Sequence, residues 1–189
     1  MKCASCKDKE CYQGKDCTRI KNDVLKHYED PDTRRLLEVS STIEATHYMK
    51  LTRVEEVMEF ARQMGYHHLG LAFCVGLSEE AEMLEKILTA RGFRVSSVCC
   101  KVCGIDKDFF HLPHIIPERF EAICNPVGQA MILNKLHTEL NLIVGLCVGH
   151  DVLFTRYSQA PVTTLVVKDR VLGHNPLVAI YSRYYRRRL

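Results

Sequence analysis

The pattern of apolar and polar residues changes its period near residue 66. Before that point, apolar side chains recur every three or four residues, which predicts helices over 16–28, from Asp30-Pro31 onward, and over 53–64. Beyond it, helical stretches alternate with five short apolar runs: 69–74, 93–100, 120–124, 140–147 and 163–167. Nearly continuous apolar strands that alternate with helices are typical of a parallel sheet covered on both faces. The sequence therefore predicts an α/β fold with a doubly wound, mostly parallel, Rossmann-like sheet of five strands.

The first 20 residues lack the apolar side chains that build a core. Apart from cysteine, only Met1, Ala4, Tyr12 and Ile20 are appreciably apolar there, so something other than hydrophobic burial must hold this segment. The predicted organisation is an N-terminal segment of residues 1–20, a helical segment of residues 21–65 that packs on the core, and an α/β domain of residues 66–189.

Composition and charge exclude several classes of protein. The chain has 189 residues, of which 47% are hydrophobic and 26% charged, as expected of a folded globular protein. Its net charge of +3 includes four arginines of the C-terminal tail, which are Arg183, Arg186, Arg187 and Arg188. Because the remainder of the chain is close to neutral, we do not expect nucleic acid as a partner.

The chain has ten cysteines, and the redox state of the cellular compartment decides whether they form disulfides or stay reduced. The polar N-terminus does not resemble a secretory signal, and the longest charge-free apolar stretch, residues 140–149, is about half the length of a bilayer span. We therefore expect a cytoplasmic protein with no membrane association. In that reducing compartment, clustered cysteines more often bind metals or take part in catalysis than form disulfides.

Four cysteines near the N-terminus have the spacing of metal ligands. Cys3, Cys6, Cys11 and Cys17 are separated by two, four and five residues, so four thiolates can converge on one metal. Metal binding would supply the folding energy that a missing core cannot. The spacing is similar to a zinc knuckle with cysteine in place of histidine, and it differs from the bacterial ferredoxin run. The expected cofactor is zinc or an iron–sulfur cluster.

Cysteine also ends four of the five predicted strands, at Cys74, at Cys99-Cys100, at Cys124 and at Cys147. In an open α/β sheet, ligands bind in the crevice beyond the carboxyl ends of the strands. Taken singly, each cysteine is explained as a small core residue, but four at equivalent strand ends favour a shared site. Since neighbours in a strand face opposite sides, we select Cys100, the one nearer the loop. Cys74, Cys100, Cys124 and Cys147 are the predicted cofactor ligands, for iron–sulfur or zinc.

Two histidines are expected on the rim of this crevice. His150 follows Cys147 closely, and His174 precedes Asn175 beyond the last predicted strand. Either can donate a proton or a hydrogen bond to a substrate, or merely cap its own loop. Arg170 is able to hold an anion at the same rim.

A C-x-x-C motif gives a competing interpretation. Cys100 and Cys103 enclose Lys101, which favours a reactive thiol pair after a strand. Thioredoxin-like enzymes need a helix directly after the first cysteine, however, and Gly104 suggests that any helix begins later.

Several motifs are distinctive when they occur together. Besides the N-terminal cysteine run, they are Phe73-Cys74-Val75-Gly76-Leu77-Ser78-Glu79-Glu80, Cys99-Cys100-Lys101-Val102, Cys124-Asn125-Pro126, Gly145-Leu146-Cys147-Val148-Gly149-His150-Asp151 and Lys168-Asp169-Arg170-Val171-Leu172-Gly173-His174-Asn175-Pro176. Over nearly its whole length the chain resembles a family of uncharacterised, cysteine-rich metal-binding proteins of anaerobic bacteria and methanogenic archaea. The resemblance implies metal binding and an anaerobic host, without an established reaction. An anaerobic host favours iron–sulfur over zinc in the crevice.

Three functions are compatible with these features. The first is an iron–sulfur protein whose crevice cluster, expected to be [4Fe-4S], serves electron transfer or sulfur or small-molecule chemistry, with a redox partner protein or a small-molecule substrate. Its N-terminal site would hold zinc or a second cluster. The second is a non-catalytic zinc-binding sensor or adaptor in which the crevice cysteines only pack. The third is a thiol oxidoreductase that uses Cys100 and Cys103.

Overall fold

Four parallel strands form the sheet that positions the rest of the α/β unit. In chain order they are β1 (His68–Phe73), β2 (Arg94–Cys99), β3 (Leu140–Val144) and β4 (Val162–Val166). Their order across the sheet is β2-β1-β3-β4, and every neighbouring pair is parallel. The chain moves outward in one direction from β1 to β2 and in the other from β3 to β4, so the order reverses between β1 and β3. In doubly wound sheets this reversal opens a ligand crevice at the carboxyl ends of the two central strands.

The computed structural model describes residues 1–189, which divide into two units, Met1–Lys50 and Leu51–Leu189. The first unit begins with two short 3-10 turns, Cys3–Ser5 and Glu10–Gln13, followed by α1 (Lys21–His27) and α2 (Pro31–His47). Helix α2 starts where the sequence predicts, because the Asp30 carboxylate accepts the N–H of Thr33 and Pro31 occupies the first turn.

Six helices belong to the second unit. They are α3 (Arg53–Met64), α4 (Ser78–Ala90), α5 (Pro126–Lys135), α6 (His150–Tyr157), α7 (Leu177–Tyr181) and α8 (Arg183–Arg186). Helix α3 begins with a capping box between Thr52 and Glu55 and ends at Gly65 in the left-handed region, as its sequence predicts. None of the helices in the chain combines the length and the hydropathy that crossing a bilayer requires.

Helices cover both faces of the sheet. Leu71 and Leu142 belong to the core on the face that α3 and α4 cover. Ala72 and Ile143, one position further along each strand, belong to the core on the opposite face with Phe154 of α6. Because successive side chains point to opposite faces, a strand that is buried on both must be apolar throughout. The predicted α/β class and the parallel sheet are confirmed.

The sheet has four strands, so the predicted fifth strand over residues 120–124 is wrong. Within that run, Ala122 makes an isolated antiparallel bridge with Asp106, and the carbonyl of Glu121 accepts the N–H of Lys107. The Glu121 carboxylate also pairs with the Lys107 ammonium at 2.7 Å. The apolar run therefore pairs with the beginning of its own connection, residues 101–124, which we call the crossover.

Gly70 in β1 is needed because another side chain occupies the space beside it. A Cβ there would overlap Oδ1 of Asn141 and lie 2.9 Å from Cδ1 of Leu133. Asn141 is fully buried, and its Oδ1 accepts the Thr138 hydroxyl at 2.8 Å, so it cannot move aside without losing that bond. We expect Gly70→Ala to lower the free energy of unfolding by about 3 kcal/mol, measured by urea denaturation.

Gly76→Ala is the matched control for this prediction. A Cβ at Gly76 would meet only the Lys168 ammonium, at an ordinary contact distance of 3.6 Å. This variant should change the free energy of unfolding by less than about 1 kcal/mol. Equal losses in the two variants would contradict the steric explanation for Gly70.

Candidate metal centre at the carboxyl ends of the strands

Three of the predicted ligands lie where their strands end. Cys74 follows β1, and its N–H donates to the carbonyl of Val144 at 3.1 Å. Cys100 follows β2, and its N–H donates to the carbonyl of Phe73 at 2.9 Å. Cys147 lies just beyond the end of β3. The hydrogen bonds between neighbouring strands thus continue one residue beyond the strands, to the backbone N–H groups of Cys74 and Cys100, and they fix the positions of these two residues.

Cys124 reaches the same place without a strand. The N–H of the next residue, Asn125, donates to the carbonyl of Cys100 at 2.7 Å. The Asn125 side chain accepts the N–H of Gly128 at 2.8 Å, which caps α5, and donates to the carbonyl of Val102 at 3.3 Å. The beginning of α5 is therefore fastened to the residues that follow β2, and this holds Cys124 beside Cys100.

Nitrogen donors lie against three of the four sulfur atoms. They are the N–H of Val75 for Cys100 at 3.3 Å, the ammonium of Lys168 for Cys74 at 3.4 Å and the guanidinium of Arg170 for Cys147 at 2.9 Å. A hydrogen bond to sulfur favours the thiolate over the thiol, and it also stabilises a thiolate that is bound to a metal.

Cys100 and Cys124 form a coupled pair of thiols. The hydrogen bond from Cys100, followed by the positive charges of Lys101 and His150, lowers the pKa of Cys124 to about 5. The same hydrogen bond, followed by burial, raises the pKa of Cys100. The first proton therefore leaves from Cys124, and Cys100 keeps its proton and donates it to the thiolate. At neutral pH one sulfur of the crevice is already in the form that binds metals.

Alkylation of the metal-free protein should follow this low pKa. Because only the thiolate reacts, we expect labelling of Cys124 by iodoacetamide to rise through about pH 5 and to level off well below the ordinary cysteine pKa of 9.0. Lys101→Met should move the profile to higher pH, since it removes one of the positive charges that lower the pKa. Peptide mass spectrometry measures both rates, and a rate that keeps climbing to pH 9 in the wild-type protein would contradict the pairing.

A crevice of about 560 Å³ opens above these sulfurs. Cys74, Cys124 and Cys147 line it, whereas Cys100 lies behind them and is 2% exposed. The crossover supplies an apolar wall formed by Leu112, Pro113, Ile115 and Ile123, and the cationic side chains of the lining are Lys101, Lys107, Lys168 and Arg170. The crevice therefore combines soft ligands, an apolar wall and positive charge.

The two candidate histidines are placed differently. His150 begins α6, lines the crevice and contributes to the low pKa of Cys124. His174 lies in a turn, where its Nδ1 accepts the N–H of Asp169 at 3.1 Å, and it is not among the residues that line the crevice. That bond leaves the His174 proton on Nε2. His150 is accordingly the better placed proton donor.

Cys99 and Cys103 do not line the crevice. The Cys99 sulfur accepts the N–H of Lys101 at 3.5 Å, and Cys103 is exposed with a φ of 72°. No helix follows Cys100, because residues 101–103 form a turn and the next element is the 3-10 turn Lys107–Phe110. The helix that a thioredoxin-like pair requires is missing, so the C-x-x-C interpretation gains no support.

The four N-terminal cysteines line one depression of about 1030 Å³ in the first unit. Every residue from Met1 to His27 is exposed, so this segment has no hydrophobic core. The chain turns back twice, where Cys6 donates its N–H to the carbonyl of Cys3 and Gly14 donates to that of Cys11, both at 3.1 Å. Cross-linking by a metal is one physical means by which a segment without a core becomes ordered.

The spacing of the sulfurs bears on the kind of metal. A tetrahedral zinc ion with bonds of ~2.3 Å holds its sulfurs about 3.8 Å apart. The only three ligand atoms from histidine, cysteine or acidic residues that lie within 4.8 Å of one another belong to Asp106, Asp108 and His114. No three cysteine sulfurs are that close, although Cys100 and Cys124 are hydrogen-bonded to each other.

The Asp106, Asp108 and His114 group is a third cluster of potential ligands, inside the crossover. His114 donates from Nδ1 to the carbonyl of Arg119 at 2.7 Å and from Nε2 to Asp108 at 2.9 Å. The Arg119 carbonyl, followed by the carboxylates of Asp108 and Asp106, raises the pKa of His114. With both nitrogens donating, the protonated ring ties the two arms of the crossover together. Since these residues sit in an irregular segment, no periodic pattern marks them in the sequence.

Two cations that contact the site are not among the predicted ligands or proton donors. Lys101 follows Cys100 directly, and its ammonium donates to the carbonyl of Ala122 at 2.5 Å. Lys168 comes shortly after β4 and donates to Cys74. The rule that selects the cysteines, namely a residue directly after a strand at the carboxyl edge of the sheet, would have selected both lysines as well.

Comparison with known proteins assigns the chain to a family. Residues 11–165 match the model described as "Protein of unknown function (DUF1847)". The chain belongs to this family. It is also similar to the uncharacterized protein MJ0455 of Methanocaldococcus jannaschii, with 54% identity over 190 residues that cover 100% of this chain and 98% of the relative. No solved structure matches it.

The DUF1847 match supports one part of the predicted resemblance, which is membership of an uncharacterised family. The matched range contains the four crevice cysteines and begins at Cys11 of the N-terminal set. A family of unknown function with a relative in a methanogen is confirmed. Metal binding is not part of either description and stays a prediction.

Proposed function

We propose that the protein is an iron–sulfur protein whose cluster is bound by Cys74, Cys100, Cys124 and Cys147. The supporting observation is that sulfurs from four separate segments of the chain meet at one edge of the sheet, three of them against nitrogen donors. Soft thiolates select zinc or iron–sulfur clusters over hard cations. The cations that line the crevice, which would balance an anionic cluster, favour [4Fe-4S] over one zinc ion.

The chain's own residues tune this centre. When bound by all four cysteines, the cluster would supply one-electron transfer. If one of the four thiolates were not a ligand, an iron site would be open for sulfur or small-molecule chemistry. Lys168, Arg170 and the N–H of Val75 donate to sulfurs that become more negative on reduction, so they raise the reduction potential. His150 lines the crevice, where it could donate a hydrogen bond to a substrate. A redox partner protein or a small molecule reaches the centre through the open side.

A second metal, zinc or another cluster, is proposed for Cys3, Cys6, Cys11 and Cys17. Support comes from their shared depression and from the absence of a hydrophobic core in residues 1–20. All ten cysteines are free thiols, which agrees with the proposed location in a reducing cytoplasm.

Anaerobic purification tests the proposal. The expected product is brown, with about four iron and four acid-labile sulfide atoms at the crevice. A variant that carries both Cys3→Ala and Cys6→Ala should keep this colour, because it alters only the N-terminal site. Colourless protein with one zinc per chain would replace the proposal with the sensor or adaptor. Colourless, metal-poor protein whose Cys100–Cys103 pair cycles reversibly would replace it with the thiol oxidoreductase.

A further inference from the structure

Three cationic side chains reach the crevice without a carboxylate partner. Lys101, Lys168 and Arg170 line it, and none of the three forms an ion pair with an acidic residue. Lys107 on the same wall differs, because Glu121 pairs with it at 2.7 Å. Glu121 is also the only acidic residue of the lining. The protein part of the crevice therefore carries three uncompensated positive charges, apart from the thiolates.

A bound cluster does not neutralise this charge. An oxidised [4Fe-4S] core with four thiolates carries about two negative charges. One positive charge of the three therefore remains. Apolar walls such as those of Leu112 and Ile115 strengthen the local field, because they exclude water from it. A crevice that stays electropositive with its cluster in place attracts anions.

Two of the cations are placed to hold one anionic group. Lys168 and Arg170 are two residues apart on the segment after β4, and they contact the sulfurs of Cys74 and Cys147. An Arg guanidinium has five N–H donors in a planar fork that matches carboxylate and phosphate, so one bond to sulfur leaves others available. Gly76 has no side chain that would block the Lys168 ammonium.

We propose that the crevice binds a small organic oxyanion, with its carboxylate or phosphate group at Lys168 and Arg170 and its apolar part against the crossover. This inference rests on the proposed function, since it places the ligand beside the cluster. The volume of about 560 Å³ is within the range of small-molecule sites. The charged end of the ligand lies next to the sulfurs of Cys74 and Cys147.

Binding to the anaerobically purified, metal-loaded protein tests the inference by calorimetry. The probes are butyrate and butyl phosphate, with butyramide as the neutral counterpart of butyrate. We expect at least one anion to bind at least about tenfold more tightly than butyramide, because a hydrogen bond to a charged group is worth roughly that factor. Raising the salt from about 50 to 500 mM should weaken binding of the anion and leave the amide unchanged.

Variants distinguish binding by Lys168 and Arg170 from attraction by the overall positive charge of the protein. Lys168→Met and Arg170→Met should each lower the affinity for the anion at least about tenfold. The charge-conserving variants Lys168→Arg and Arg170→Lys should retain most of that affinity. Lys135→Met is the matched control, because it removes the same charge from the last residue of α5, which does not line the crevice. Iron and sulfide are measured in every variant, so a lost cluster is recognised separately from a lost anion.

The outcomes distinguish the inference from the proposed function. Equal affinity for butyrate and butyramide, no binding of either anion, or unchanged affinity in both methionine variants would overturn the anion site and leave the cluster standing. Iron-free protein that binds an anion through Lys168 and Arg170 would overturn the cluster and leave the anion site standing.

Discussion

Cys124→Ala is expected to remove the crevice iron and its visible absorbance while the chain stays folded. Cys124 is the sulfur that ionises first, and Cys100 is a buried thiol that donates its proton to it. Without Cys124, the crevice loses the sulfur whose pKa is lowered to about 5, and only three of the four proposed ligands remain. We expect iron at this site to fall at least about tenfold, since metal ligands must be deprotonated. Iron analysis and absorbance measure the loss.

Cys99→Ala is the matched control for Cys124→Ala. Cys99 is half-buried like Cys124 and precedes Cys100 directly, but it does not line the crevice. This variant should keep its iron and its colour. Stability is measured alongside, and removal of one half-buried thiol should cost no more than about 2 kcal/mol in either protein. If Cys99→Ala bleaches the protein and Cys124→Ala does not, the assignment of ligands is wrong.

Cys6→Ser should remove the N-terminal metal and unfold residues 1–20, with the α/β unit unaffected. Structural zinc sites contribute roughly 10–16 kcal/mol of apparent binding energy, whereas this segment has no buried residue to replace that contribution. The readouts are metal content and hydrogen exchange at the Gly14 amide, which bonds to the carbonyl of Cys11. Its protection should be lost in the variant.

Ser5→Ala is the control for Cys6→Ser. Ser5 is the neighbouring residue, is equally exposed, and its hydroxyl bonds only to the carbonyl of Lys2. Protection at Gly14 should survive this change, and amides of β1 and β3 should stay protected in both variants. A Gly14 amide that remains protected in metal-free Cys6→Ser would show that the segment orders itself without a metal.

The predictable part of the fold is the part that is buried on both faces. Residues 69–74 and 140–147 are nearly continuous apolar runs, and the ends of β1 and β3 lie within three residues of these bounds. The same local pattern misleads at 120–124. Whether an apolar run joins a sheet depends on a partner distant in sequence, and here the nearer partner at Asp106 pairs with it instead.

The convergence of the cysteines is predictable for the same topological reason, but their surroundings are not. Parallel strands bring their carboxyl ends to one edge, so residues after β1 and β2 must meet. Cys124 is brought to them by the hydrogen bond from the N–H of Asn125 to the carbonyl of Cys100. The pattern of apolar and polar residues does not predict this bond. The contacts of Lys168 and Arg170 with sulfur also depend on loop geometry, and loop residues with charged side chains look alike in a sequence whether they face inward or outward.

The hydrogen bond between Asn125 and Cys100 has an evolutionary consequence. It brings the two ends of the crossover to one point at the sheet edge. The residues between those ends also form the apolar wall of the crevice through Leu112, Pro113 and Ile115. Insertions and replacements in this detour leave the sulfurs of Cys74, Cys100 and Cys147 in place, so the wall of the crevice is free to diversify while the sulfurs keep their positions.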